Sequence, residues 1–172
     1  MKKLIFFLFA ALLAFSCEVN AQSLKFGHIN SGDLLNVMPQ MDSMQVKLDA
    51  FAKDLGEIQE EMVVEYNRKL DEFSKNQDKW SEVVKESKQN ELLAIQRRLQ
   101  EQQQNAQQQY QAEQQKLFQP VLELVRTTIA KVAKANGLTY VFDVAGGTLL
   151  YFNEAQSTDV LPLVKKELNI TK

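Results

Sequence analysis

From Gln40 to Asn136 the chain runs 97 residues with a single glycine, Gly56, and a single proline, Pro120. So little punctuation over that length means helix. The first part carries a clear apolar seam of Met41, Met44, Leu48, Phe51, Leu55, Ile58 and Met62. Its steps of 3 and 4 are a heptad repeat. Tyr66, Leu70 and Phe73 continue it at 4, 4 and 3, an eleven-residue interval from Met62 that locally relaxes a supercoil.

A single helix of this length would be very long, and one segment reads as a turn. "SKNQDKWS" (Ser74 to Ser81) breaks the apolar spacing and concentrates serine, asparagine and aspartate. Ser81 is suited to cap a new helix from Glu82. The seam resumes at Val84, Leu92, Ile95, Leu99, Ala106, Tyr110, Leu117, Val121, Leu124, Thr128 and Val132. The spacing therefore predicts a helical hairpin over 40–119 with its tip near 74–81. The outward arm is roughly 50 Å long at ~1.5 Å per residue. Pro120 removes a helical hydrogen bond, so a kink or a fresh first turn is expected where the arm joins the rest. Gly56 is a second soft point, read as a solvated-face position rather than a hinge.

Within the returning arm, Gln100 to Gln115 holds ten glutamines in sixteen residues. Such tracts are often disordered, but glutamine is a good helix former. Ala106 and Tyr110 keep the seam alive there. The expectation is a helix with a thin seam, Gln103 and Glu113 standing where apolar residues belong, and so a compliant stretch of arm.

The ends change period. "LKFGHIN" (Leu24 to Asn30) alternates Leu24, Phe26 and His28 against Gly27 and Ile29, as a strand does. Asn30 or Ser31 can cap the helix "SGDLLNVMP", with Asp33 in its first turn. Asn136-Gly137 stops the long helix. "LTYVFDV" (Leu138 to Val144) is a strand, and "AGG" is expected to turn it into "TLLYF" (Thr148 to Phe152) as a β-hairpin. Thr158 or Asp159 then caps a last helix through Leu168, with Pro162 in its first turn. The fold class is α+β: a small β-body from 22–39 and 120–172, with about three short strands and short helices, carrying a long antiparallel coiled-coil arm. Three short strands cannot build a large core alone, and theirs are apolar on both faces. Self-association completes such a core. Phe26, Ile29, Tyr140, Val141 and Phe142 are the candidate assembly residues.

Residues 1–21, "MKKLIFFLFAALLAFSCEVNA", read as a secretory signal. Lys2 and Lys3 precede a twelve-residue apolar run, and Val19-Asn20-Ala21 is the cleavage site. A rival reading makes Cys17 a lipid-modified N-terminus, though Phe15 and the missing upstream leucine fit it poorly. Cys17 is the only cysteine, so a mature chain has no disulfide. Without Lys2, Lys3 and Glu18 the 20 basic and 22 acidic residues become 18 and 21, a net of −3. That is not the basic footprint of a nucleic-acid binder. No later segment reads as a membrane span, so stable insertion is not expected; transient contact with an inner- or outer-membrane surface is left open.

Catalytic signatures are missing. There is no GxxxxGK[ST] loop, no GxGxxG after a strand and no GxSxG elbow. The one histidine, His28, lies in a strand and reads as a core or edge residue. Paired carboxylates such as Glu60-Glu61 sit in a mixed-charge helix surface, 11 basic and 15 acidic residues over 40–119. No catalytic, cofactor or metal residue is expected.

The order of "KFGHIN", "LLNVMP", long polar helices, "PVLELVRTTIAKVAKANGLTYVFD" and "DVLPLVKKELNI" resembles the Skp/OmpH family of periplasmic chaperones, over essentially the whole mature chain. The block "VAKANGLTYVFD" is the most specific part. The resemblance implies a homotrimer, with a β-body joining three hairpin arms that hold unfolded outer-membrane proteins without nucleotide. Two departures stand out. Many members are strongly basic, whereas this chain is mildly acidic, so long-range steering of clients is weak. Arg97 and Arg98 do not fall where the family's proposed lipopolysaccharide cluster would align, and that site is not carried over. Trp80, in the predicted turn, either touches client or staples the turn; Tyr110 is a second candidate client contact. The competing function class is an envelope scaffold or spacer, lipid-anchored if Cys17 is modified.

Overall fold

The computed structural model describes residues 24–171. The export segment, its cleavage site and the reading at Cys17 lie outside the described residues. Strand β1 is Phe26–Ile29, with Gly27 and Ile29 buried and Phe26 and His28 half-buried. The Asn30 side chain closes the next turn by accepting the Asp33 N–H at 3.2 Å, and α1 follows over Ser31–Leu35. Helix α2 is Pro39–Asn76, with proline in its first turn. A short 3-10 turn at Gln77–Lys79 reverses the chain into α3, Glu82–Ala135. At ~1.5 Å per residue α2 is roughly 57 Å long and α3 roughly 81 Å. Ser81 takes the N-cap position of α3, but its hydroxyl makes no capping bond.

Pro120 neither ends α3 nor starts a new helix: it lies inside an unbroken one. Val121, Val125, Thr128 and Val132 bury the next turns in the body core, and that packing outweighs one lost hydrogen bond. Gly137 ends α3 in the left-handed region, φ +65°, while the Leu138 N–H reaches back to the Ala133 carbonyl at 3.0 Å.

The remaining elements are β2 (Tyr140–Asp143), β3 (Ser157–Asp159) and α4 (Leu161–Glu167). The sheet order is β2-β1-β3, with β1 parallel to both neighbours. Phe26 pairs with Tyr140 on one side and Ser157 on the other. The expected β-hairpin is therefore a correction: Thr148–Phe152 is not a strand, and the third strand is the polar "STD" further on. The reason lies just beyond it. Val160 and Val164 are fully buried, and seating them in the core draws β3 onto the open edge of β1, where the Val160 N–H bonds the His28 carbonyl at 2.9 Å. Neither cap candidate takes the N-cap position of α4, which is Val160 without a side-chain cap bond; Asp159 stands one residue earlier and accepts the Leu161 N–H at 2.9 Å.

The body core joins all these pieces: Ile29 of β1, Leu34 of α1, Met38, the α3 residues Val121, Val125 and Val132, then Val160 and Val164. Asp143 fastens the sheet to α1. Its carboxylate accepts the Ser31 hydroxyl at 2.5 Å and N–H groups of Ser31 and Ala145 at 3.1 and 3.0 Å. Burial pushes this acid up, but the bonds from Ser31 and Ala145 outweigh it and hold the group below its ordinary value. A depressed carboxyl stabilises the fold above its unfolded pKa, about 4. That contribution disappears as pH falls through the folded pKa. Asp143→Asn should thus lower stability at neutral pH and flatten the acid limb of a stability-versus-pH curve. An unchanged acid limb would exclude the role.

Candidate functional site

The arm is built by two helices meeting along one line. Leu48, Leu55 and Ile95 are its buried points. Lys69 of α2 pairs with Glu91 of α3, and Gln96 Nε2 donates to the Tyr66 hydroxyl at 2.9 Å. The contact line departs from a strict heptad. Ile58 is 46% exposed, and Leu70 and Val84 are also exposed. The half-buried positions near them are Gln59, Lys69 and Lys85, with Gln102 taking the place expected of Gln103. A helix with 3.6 residues per turn drifts off a 3.5 repeat, and the line moves by one residue to follow. Lysine stems cover apolar surface there while their heads stay paired: Lys88 lies 3.4 Å from Glu72 and 3.6 Å from Glu91. The Lys69 hydrogen bond chiefly, helped by the charges of Lys69 and Lys88, outweighs desolvation and lowers the Glu91 carboxyl.

Through the glutamine tract α3 is helical throughout. Ala106, Tyr110 and Glu113 are half-buried on the contact line, and α2 supplies the bulk, with Leu48 and Leu55 buried. Glu113 keeps its charge satisfied through Lys116 at 2.8 Å.

At the tip Trp80 is half-buried. Its ring meets Phe73 of α2 edge-on at 5.8 Å, and Lys88 Nζ of α3 lies 5.9 Å from the ring centre. It touches both helices and so closes the turn, with part of the ring left accessible; Val83 and Val84 at the start of α3 are exposed. Tyr110 lies 30 residues further along α3, roughly 45 Å away. The two candidate contact residues are not brought together.

The sheet sorts the five candidate assembly residues by face. Ile29 is 2% exposed, and Val141 packs against the same core. Phe26, Tyr140 and Phe142 share the opposite face. Their rings lie 6.1–6.2 Å apart and within 14–32° of parallel. Tyr140 is 57% exposed and Phe142 is exposed beside it. The sequence reading did not single out Leu150 and Tyr151, which are 97% and 81% exposed. The apolar run "TLLYF" carries their signal, which its alternation assigns to a strand. His28 joins β1 to β3 through Nδ1 and the Ser157 hydroxyl at 2.9 Å, against the Phe152 ring.

Where α2 and α3 leave the body, an open groove of about 420 Å³ lies between Pro39, Met44, Lys47, Leu117, Pro120 and Leu124. Among the described residues no cluster of histidine, cysteine and carboxylate groups could hold a metal. No helix among them is long and apolar enough to cross a membrane. The arrangement offers surfaces for contact: an aromatic sheet face, a long arm and a tip carrying Trp80 among polar residues.

Comparison with known proteins agrees with this architecture. The sequence pattern described as "Outer membrane protein (OmpH-like)" matches residues 25–168. A solved structure from Caulobacter crescentus CB15, a candidate outer membrane chaperone (OmpH-like), superposes with a TM-score of 0.71. It is 15% identical, over 85% of this chain and 84% of that one. No curated protein matches the chain. Residues 25–168 take in β1, the whole arm and the sheet, and with that span matched the chain belongs to the OmpH-like outer membrane protein family.

Proposed function

We propose that this protein is an ATP-independent periplasmic holdase that keeps unfolded outer-membrane proteins from aggregating. Three copies join through the body, and the client sits between their arms. The carrying observation is a small core whose exposed sheet face is aromatic, with a hairpin of helices 38 and 54 residues long projecting from it, the last turns of the second helix lying in the core. Phe26, Tyr140 and Phe142 supply the assembly contact, together with Leu150 and Tyr151. Burying such rings between copies is favourable at about 25 cal/mol per Å². Three arms give avidity from individually weak contacts. Membership in the OmpH-like family supports the same reading, as does an N-terminal sequence with the features of an export signal.

The test dilutes a denatured outer-membrane β-barrel protein into buffer without ATP, with and without the chaperone. Light scattering should be suppressed at stoichiometric trimer, and light-scattering mass should give three chains plus one client. A monomeric protein, or aggregation that proceeds unchanged, overturns the reading. Trp80→Ala divides two tip roles. Weaker client binding at unchanged thermal stability assigns the accessible ring edge to client; lower stability with unchanged client binding leaves it as the staple of the turn.

A further inference from the structure

The glutamine tract places a second, distinct line on α3. Gln100, Gln104, Gln107, Gln111 and Gln114 follow one another at 4, 3, 4 and 3 residues, and all five are exposed. That spacing keeps them on one side of the helix, away from the Ala106–Tyr110 contact line. Gln103, Gln108 and Gln115 flank them. The line carries no charge. No lysine or arginine lies between Arg98 and Lys116, and the acids of the interval are Glu101, beside the line on the flank of Gln108, and Glu113, half-buried on the contact line and paired with Lys116. Solvated helix faces elsewhere in this arm carry charged side chains in i,i+4 pairs, as Lys53–Glu57 and Lys75–Asp71 do. Glutamine amides that bond within the arm lie outside the tract, at Gln45 with Asp49 and Gln96 with Tyr66.

We propose that this amide line binds the extended backbone of an unfolded polypeptide, by hydrogen bonds from the glutamine side chains to its peptide groups. The inference rests on the holdase reading and specifies what part of the client is held. A primary amide presents both a donor and an acceptor, the same complement as a peptide group. An uncharged line therefore matches any client backbone whatever its side chains, and neither attracts nor repels charged ones. Successive amides rise about 5.3 Å along the helix. Equivalent groups of an extended chain recur about every 6.6 Å. The three rotatable bonds of glutamine absorb the difference over a few contacts but not over many. The hold is consequently short, sequence-tolerant and reversible.

The experiment replaces the five residues Gln100, Gln104, Gln107, Gln111 and Gln114 with alanine, which keeps helix propensity. Circular dichroism and mass check the arm and the assembly. A synthetic uncharged peptide of alternating polar and apolar residues, and its copy N-methylated at every second residue, serve as probes. The expected result is a Kd roughly tenfold higher or more for the alanine variant. N-methylation should weaken binding to the wild type and leave binding to the variant unchanged, the signature of a shared interaction. Equal affinity of wild type and variant overturns the proposal, as does equal loss on N-methylation in both. A changed oligomeric mass with unchanged peptide affinity places a second copy on this face and overturns it too. If the wild type protects a client and the variant protects it as well, only the amide line falls; if the wild type protects none, the holdase reading falls first.

Discussion

Replacing Gly27 with alanine is expected to destabilise the body by about 1–3 kcal/mol, and valine there to do more. Gly27 lies in the central strand, so both sides of its backbone are occupied. An added Cβ would stand 2.8 Å from Leu138 Cδ1, 3.1 Å from Val160 Cγ1 and 3.2 Å from the Thr158 carbonyl oxygen. The leucine can rotate away. The Thr158 oxygen belongs to the backbone of β3 and moves only if the ladder moves. Any shift of β1 away from β3 presses on β2, so the collision has no easy outlet. Chemical denaturation of Gly27→Ala should show a lower midpoint at similar slope, and Gly27→Val a chain that keeps arm helicity without the body. A midpoint for Gly27→Ala indistinguishable from wild type would show that the two neighbours yield freely.

Leu34→Ala carries the second large effect, about 2–5 kcal/mol. Leu34 has no exposed surface and sits in the core with Ile29, Met38, Val160 and Val164. Helix α1 has only five residues, too few to hold its shape without that anchor. Truncation leaves a cavity between the sheet and α4 that neither element can close independently. Since domains are stable by about 5–15 kcal/mol in total, the variant should lie near the edge of folding at physiological temperature. Val46→Ala is the control: Val46 is 68% exposed on the arm, and surface changes of this kind stay within about 0.5 kcal/mol. Equal midpoints for the two variants would remove Leu34 from the core.

The elements of the arm were legible because helix leaves a periodic trace. The absence of glycine and proline, the 3–4 steps and the clustered Ser, Asn and Asp located two helices and their turn. The same trace did not show that the contact line slips at Ile58 and Val84, because slip depends on how two particular helices cross. The sequence shows only the local cost of Pro120, and the packing of Val121 and Val125 overrides it. In the sheet, alternation identified β1 and β2. It also made "TLLYF" a better strand than "STD" by every local measure. The choice was made by Val160 and Val164, whose burial is a tertiary fact. The candidate assembly residues show a similar limit: alternation puts Ile29 and Phe26 on opposite faces but does not say which face is the chain's own core. For Trp80 the sequence leaves two roles open, because the Phe73 and Lys88 contacts that hold it are invisible in a one-dimensional pattern.

The middle position of β1 also bears on the order in which the chain folds. Its partners lie more than 110 residues further along the chain, so an emerging β1 has nothing to pair with. Closing that gap as a free loop would carry a large entropy cost. The arm removes most of it: α2 and α3 zip from Trp80 backward through neighbours that are close in sequence, and contacts of that kind form fast. Each turn zipped draws the two ends together. By the time Val121 meets Met38, the strands are side by side. On this order the arm guides the body's folding as well as reaching outward, and a lesion at the tip such as Trp80→Ala is expected to slow sheet formation at the opposite end, read as a lower refolding rate.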